Sequence, residues 1–150
     1  MGGGMDLTAS GRSWGPFPVV VDGTKAQEFA EIIGVDDPLV RDVAAAAEAG
    51  HAAPLAPLTF PFALAVEGQP FIPEVLAARY DRTVLAGYDY EFVGPVPTGV
   101  PLWAKTRIVE AYEHEGKKGR VAIGVAETEF ADGDGNVCTR QRATFIERLD

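Results

Sequence analysis

Very few residues in this chain could carry acid–base or nucleophilic chemistry. Asp36, Asp37 and Asp42 form a carboxylate cluster in the loop GVDDPLVRD (34–42), and His51 and His114 are the only histidines. A carboxylate and an imidazole within hydrogen-bond reach could move protons on and off a substrate. His114 sits in the charged stretch EHEGKKG and reads as solvated, whereas His51 follows a glycine stop and enters an apolar region. The three aspartates also read as helix caps, since they precede the start of a helical stretch. Cys138 is the only cysteine, which excludes an internal disulfide, and its strand context makes it a small hydrophobe rather than a nucleophile. DGDGN (132–136) opens like a calcium loop, but Val137 stands where a glycine is needed and Ala143 where a bidentate glutamate belongs. It reads as a turn. No metal site, phosphate loop or nucleophile elbow is present in the pattern.

These residues must be held by elements whose periodicity changes along the chain. FPVVVD (17–22) is a short β-branched run. TKAQEFAEIIG (24–34) predicts a helix with Thr24 and Gln27 at capping-box spacing, an apolar stripe Ala26, Phe29, Ala30, Ile33, and Gly34 as its stop. RDVAAAAEAG (41–50) predicts a short surface helix. PLAPLTFPFALAVEG (54–68) is the most apolar stretch and predicts a buried helix from Thr59, and FIPEVLAAR (71–79) predicts another short one with Pro73 near its start. After residue 80 the period becomes two, predicting long strands at 82–94, 100–113, 118–131 and 136–148. EHEGKKG and DGDGN are turns between them. The expected architecture is α+β: a curved antiparallel sheet wrapped around a buried apolar helix.

Composition sets outer bounds. The chain's 150 residues suit one domain, with residues 1–15 expected as a flexible arm and 16–150 as the folded unit. A formal charge of −9 argues against nucleic acid or an anionic membrane surface as partner. No uncharged apolar run reaches spanning length, so a cytoplasmic protein is expected.

The order of these features resembles the MaoC-like hot-dog hydratase–dehydratase family, in its N-terminal-half or non-catalytic-subunit type, from about Val19 to Arg148. It is carried by KAQEFAEIIG, GVDDPLVRD, PLAPLTFPFALA, AGYDYEFVGPVPTGVPLWAKTRIVEAYE, AETEFADGDGN and TRQRATFIER. In catalytic members the loop reads Gly-Asp-x-Asn-Pro-Leu-His-x-Asp. Gly34, Pro38, Leu39 and Asp42 match it, Asp37 takes the Asn position, and Val35 and Val40 stand where the catalytic Asp and His belong. The resemblance thus implies a single hot-dog domain with no catalytic dyad of its own. It would be the non-catalytic subunit of an (R)-specific enoyl-thioester hydratase or 3-hydroxyacyl-thioester dehydratase. Another hot-dog subunit, in a heterodimer by preference though a homodimer is possible, would supply the Asp/His pair. The substrate would be an acyl-CoA or acyl-ACP, with no metal or redox cofactor. Phe29, Val35, Val40, Leu58, Phe60 and Phe62 are the expected acyl-binding residues. Asp36 and His51 are the fallback proton carriers if the chain is instead a homodimeric thioesterase or divergent hydratase. A plain acyl-thioester-binding protein is the third reading.

Overall fold

The computed structural model describes residues 4–150; residues 1–3, the start of the expected arm, lie outside the described residues. The chain runs β1 (Ser13–Val20), α1 (Gly23–Ile33), α2 (Pro38–Arg41), α3 (Val43–Glu48), a 3-10 turn (Phe60–Ala63), α4 (Ile72–Val75), a second 3-10 turn (Tyr80–Arg82), then β2 (Thr83–Phe92), β3 (Pro101–Gly116), β4 (Gly119–Ala131) and β5 (Val137–Arg148). The strands form one antiparallel sheet in the order β1-β3-β4-β5-β2. All four predicted C-terminal strands are present within a few residues of their expected ends. Register shifts occur in every strand pair, at Trp14/Phe17, Leu85/Gly87, Ile108/Glu110 and Phe130/Ala131. Such bulges bend a strand and tighten its twist, which curves the sheet.

Period-two patterning sorts the sheet's two faces. Leu102, Ala104, Thr106 and Ile108 of β3 are all buried, as their alternation predicts. The outer face carries cross-strand charge rows instead. Arg107, Glu127, Arg142 and Asp89 lie side by side on β3, β4, β5 and β2. Glu127 is buried beneath two guanidiniums, with Arg142 Nε at 2.7 Å and Arg107 Nη2 at 3.2 Å. Burial pushes the Glu127 carboxyl up, but the hydrogen bond and charge of Arg142, with the charge and hydrogen bond of Arg107, outweigh it and hold the group below its ordinary value. A carboxyl depressed in the folded state stabilises the fold above its unfolded pKa, about 4.3, and that contribution is lost as pH falls through the folded value. The unfolding free energy is therefore expected to drop as pH goes below about 4.3. In Glu127→Gln, urea titrations at stepped pH should show a shallower acid slope.

The helical half departs from the sequence expectations, for local reasons. Thr24 does not cap α1. Asp22 does, accepting from Lys25 N at 2.9 Å, and the Gln27 amide reaches across to the Val40 carbonyl. Gly34 ends the helix as expected, at φ +76°, a left-handed conformation that disfavours a side chain. The expected helix over 41–50 is two short ones, because Asp42 is extended between α2 and α3. The largest correction concerns 54–68. This stretch is not a buried helix but a single 3-10 turn in otherwise irregular chain. Pro57 and Pro61 lack amide hydrogens, and Gly68 (φ +89°) with Pro70 turns the chain again. The layer covering the concave face is built from α1, α4 and this irregular stretch, whose Ala56 and Phe60 enter the core.

Two clusters make the core. One joins Val21, Ala26, Ala56, Phe60, Val96, Leu102 and Cys138, so α1 is pinned through Ala26. The other joins Ile72 and Leu76, in and just after α4, to Ile108, Ala122 and Ala126 of the sheet, together with Met5 and Ala9. That last pair corrects the flexible-arm expectation: residues 4–12 are packed, with Asp6 N donating to the Leu76 carbonyl and Gly11 N to that of Ile108. Gly124 of β4 makes this packing possible. A β-carbon there would sit 2.7 Å from Leu76 Cδ1 and 2.9 Å from Met5 Sδ, too close for either to stay.

Candidate functional site

The GVDDPLVRD loop is built by its own caps. Val35 N donates to the Ala30 carbonyl at 2.8 Å, so the chain folds back over the end of α1. Asp37 accepts from Leu39 N at 2.9 Å to start α2, and Asp42 accepts from Ala44 N at 2.8 Å to start α3. Two of the three aspartates are thus committed to backbone hydrogen bonds. Asp36 is exposed to solvent and does not line the concavity that holds the valines.

The loop presents Val35 and Val40 to a concavity of about 430 Å³, completed by Ile33, Leu55, Pro57, Leu58, Phe92, Pro95 and Val96. Asp37 is the one ionisable residue on its wall, and its carboxylate already serves the cap. The pocket can hold an apolar group, and neither Val35 nor Val40 can exchange a proton with it. His51 is half-buried and not on this wall; its backbone amide closes the end of α3 by donating to the Ala46 carbonyl at 2.9 Å. His114 is exposed on β3. Burial, then the nearby Asp132 charge, pushes the Cys138 thiol up, so little thiolate forms there. Among the described residues no three His, Cys, Asp or Glu side chains come together as metal ligands would. Among the described residues no helix is long and apolar enough to cross a membrane.

The structure separates the expected acyl-binding residues into three places. Val35, Val40 and Leu58 share the pocket. Phe29 and Phe60 meet edge to face at 5.3 Å, part of the core behind it. Phe62 lies elsewhere, exposed and edge-on to Tyr88 at 5.2 Å. Phe92, Pro95 and Val96 are wall residues that the sequence reading missed. Phe92 had a usable signal: Tyr88, Tyr90 and Phe92 alternate on one face of β2, and their rings stack in succession at 6.2 and 5.5 Å.

The two edges of the sheet differ. β1 carries Pro16 and Pro18, which cannot donate to another strand, whereas β2 has no proline over Thr83–Phe92 and exposes Val84, Leu85 and Phe92. β2 is the edge open to pairing.

Comparison with known proteins gives this geometry its context. Residues 8–141 match the family model of the FAS1-like dehydratase domain region. A UPF0336 protein of Clavibacter michiganensis is 30% identical over 138 residues, covering 89% of this chain and 88% of that one. One from Thermobifida fusca is 35% identical over 97 residues, or 63% of this chain and 64% of the relative, so this match spans less than two thirds of that protein. Among solved structures, a chain of the HadBC (3R-hydroxyacyl-ACP dehydratase) complex of Mycobacterium tuberculosis superimposes with TM-score 0.73 at 27% identity, covering 92% and 96% of the two chains. A chain of the ChsH1-ChsH2 complex from the same organism shares the fold at TM-score 0.69 and 16% identity, covering 92% and 83%. The sheet, the short helical layer and these matches agree: the chain is a single MaoC-like hot-dog domain and belongs to the FAS1-like dehydratase-region family and its UPF0336 group.

Proposed function

We propose that this chain is the non-catalytic subunit of a cytoplasmic (R)-specific enoyl-thioester hydratase or 3-hydroxyacyl-thioester dehydratase, acting on acyl-CoA or acyl-ACP without metal or redox cofactor. The observation that carries the reading is the pair Val35 and Val40, side by side on an apolar wall at the two loop positions that bear Asp and His in catalytic relatives. An isopropyl group cannot exchange a proton at any pH, yet the loop's caps and turn are intact. What the loop offers is shape: a dry cleft suited to an acyl chain. The open β2 edge is where a second hot-dog subunit would extend the sheet and bring its own Asp/His pair to the shared substrate. Heteromeric complexes among the structurally similar proteins support that arrangement.

The test is hydration of a medium-chain trans-2-enoyl-CoA, followed by loss of enoyl absorbance. The purified chain alone is expected to be inert. Mixed with a co-encoded hot-dog protein that keeps the Asp-x-Asn-Pro-x-His loop, it should give turnover that falls at least about a hundredfold when the partner's loop Asp becomes Asn. Turnover by this chain alone, lost in His51→Ala or Asp36→Ala, would overturn the proposal in favour of a self-sufficient enzyme.

A further inference from the structure

One level of the sheet's concave face is polar from β3 to β2. Thr106 lies opposite Thr128, Thr128 opposite Gln141, and Gln141 opposite Tyr90. The two threonine hydroxyls satisfy each other at 2.8 Å. Gln141 has no such partner: its Oε1 is buried and unpaired within the protein. The amide lines a cavity of about 180 Å³ with Tyr88, Thr128, Gln69, Ile72 and Phe145. A buried carbonyl oxygen without a partner costs stability, and an apolar side chain of similar size would fill the same place without that cost.

The aromatic ladder of β2 runs from this cavity toward the valine pocket. Tyr88 lines the polar cavity, Phe92 lines the valine pocket, and Tyr90 stacks between them. At a strand rise of about 3.3 Å per residue, the ladder spans roughly 13 Å along β2. We propose that the acyl tail lies along this ladder and that Gln141, with Tyr88 beside it, receives an oxygen function on the tail. The preferred substrates are then thioesters whose acyl group bears a hydroxyl remote from the thioester. The inference rests on the acyl-binding reading above and narrows it. A hydroxyl suits the site because it can donate to the unpaired Oε1, whereas a methyl terminus leaves that oxygen without a partner.

Calorimetric titration of the full chain with decanoyl-CoA and with ω-hydroxydecanoyl-CoA tests the proposal. The wild type is expected to bind the hydroxylated ligand about tenfold more tightly, the worth of one neutral hydrogen bond made in place of an unpaired group. Gln141→Met keeps the volume and removes the amide. It should weaken the hydroxylated ligand about tenfold and leave decanoyl-CoA within about twofold. Equal affinities in the wild type, or a preference for decanoyl-CoA, overturn the polar terminus while leaving acyl binding intact. An equal loss of both ligands in Gln141→Met also overturns it, by giving Gln141 a purely structural role. Failure of the wild type to bind either ligand removes the acyl-binding reading itself, and the inference with it.

Discussion

Arg79→Met is expected to destabilise the fold by about 3–5 kcal/mol, because it would strand a carboxylate in the core. Glu147 on β5 is fully buried on the concave face, and Arg79, just after α4, covers it. Arg79 Nε donates to Oε1 at 2.7 Å, its backbone amide to Oε2 at 3.2 Å, and its Nη2 to the Arg148 carbonyl at 2.9 Å. The pair therefore ties the α4 segment to the last strand, and the Thr83 hydroxyl, donating to the Arg79 carbonyl at 2.7 Å, ties it to β2 as well. Arg79 keeps 28% of its side-chain surface in water, so the pair contributes modestly as a pair; the large effect comes from removing one partner only. Thermal unfolding should show Arg79→Met melting about 10 °C lower. The double variant Arg79→Met with Glu147→Leu should recover much of that loss. A single variant within about 2 °C of the wild type would show that water reaches Glu147.

The sheet was legible from sequence because its signal is local and repeated. Leu102, Ala104, Thr106 and Ile108 alternate against charged neighbours, and a slip of one residue would turn Lys105 and Arg107 into the core. DGDGN likewise identified its own turn, where Asp132 accepts from the backbone amides of Asp134 and Asn136. The apolar stretch 54–68 misled because hydrophobicity says where a segment goes, not what shape it takes. Its prolines decide the shape. In the resulting 3-10 turn, residues two apart face different directions, so Phe60 enters the core while Phe62 turns out to Tyr88. The N-terminal arm misled for the opposite reason. Its glycines resemble a linker, and nothing local shows that Met5 fills space left open by Gly124, more than a hundred residues away, or that Ala9 joins the same core cluster. Of the candidate site, Val35 and Val40 were singled out by the loop's resemblance to the family pattern, and the capped loop places both on one wall. Phe92, Pro95 and Val96 reach the same wall only through the tertiary fold.

Under the proposed function, Leu58→Trp should separate long substrates from short ones in the complex with a catalytic partner. Leu58 stands at the mouth of the valine pocket, half its surface exposed, so an indole there can be added without disturbing the core behind it. Under the proposed function the reacting carbons sit with the partner's Asp/His pair, and this pocket, with Val35 and Val40 on its wall, holds the acyl chain. Filling the pocket should therefore leave the reacting carbons in place and exclude only the distal acyl chain. For dodecenoyl-CoA, kcat/KM is expected to fall about a hundredfold, close to 2.7 kcal/mol of lost transition-state stabilisation, while crotonyl-CoA stays within about twofold. A uniform loss across chain lengths would mean that the indole disturbs subunit pairing instead, which size-exclusion of the mixture would reveal. No loss at any length would place the acyl tail outside this chain. Leu58→Ala completes the argument in the other direction: by widening the mouth it should shift the preference toward longer or bulkier acyl groups, with crotonyl-CoA again unchanged.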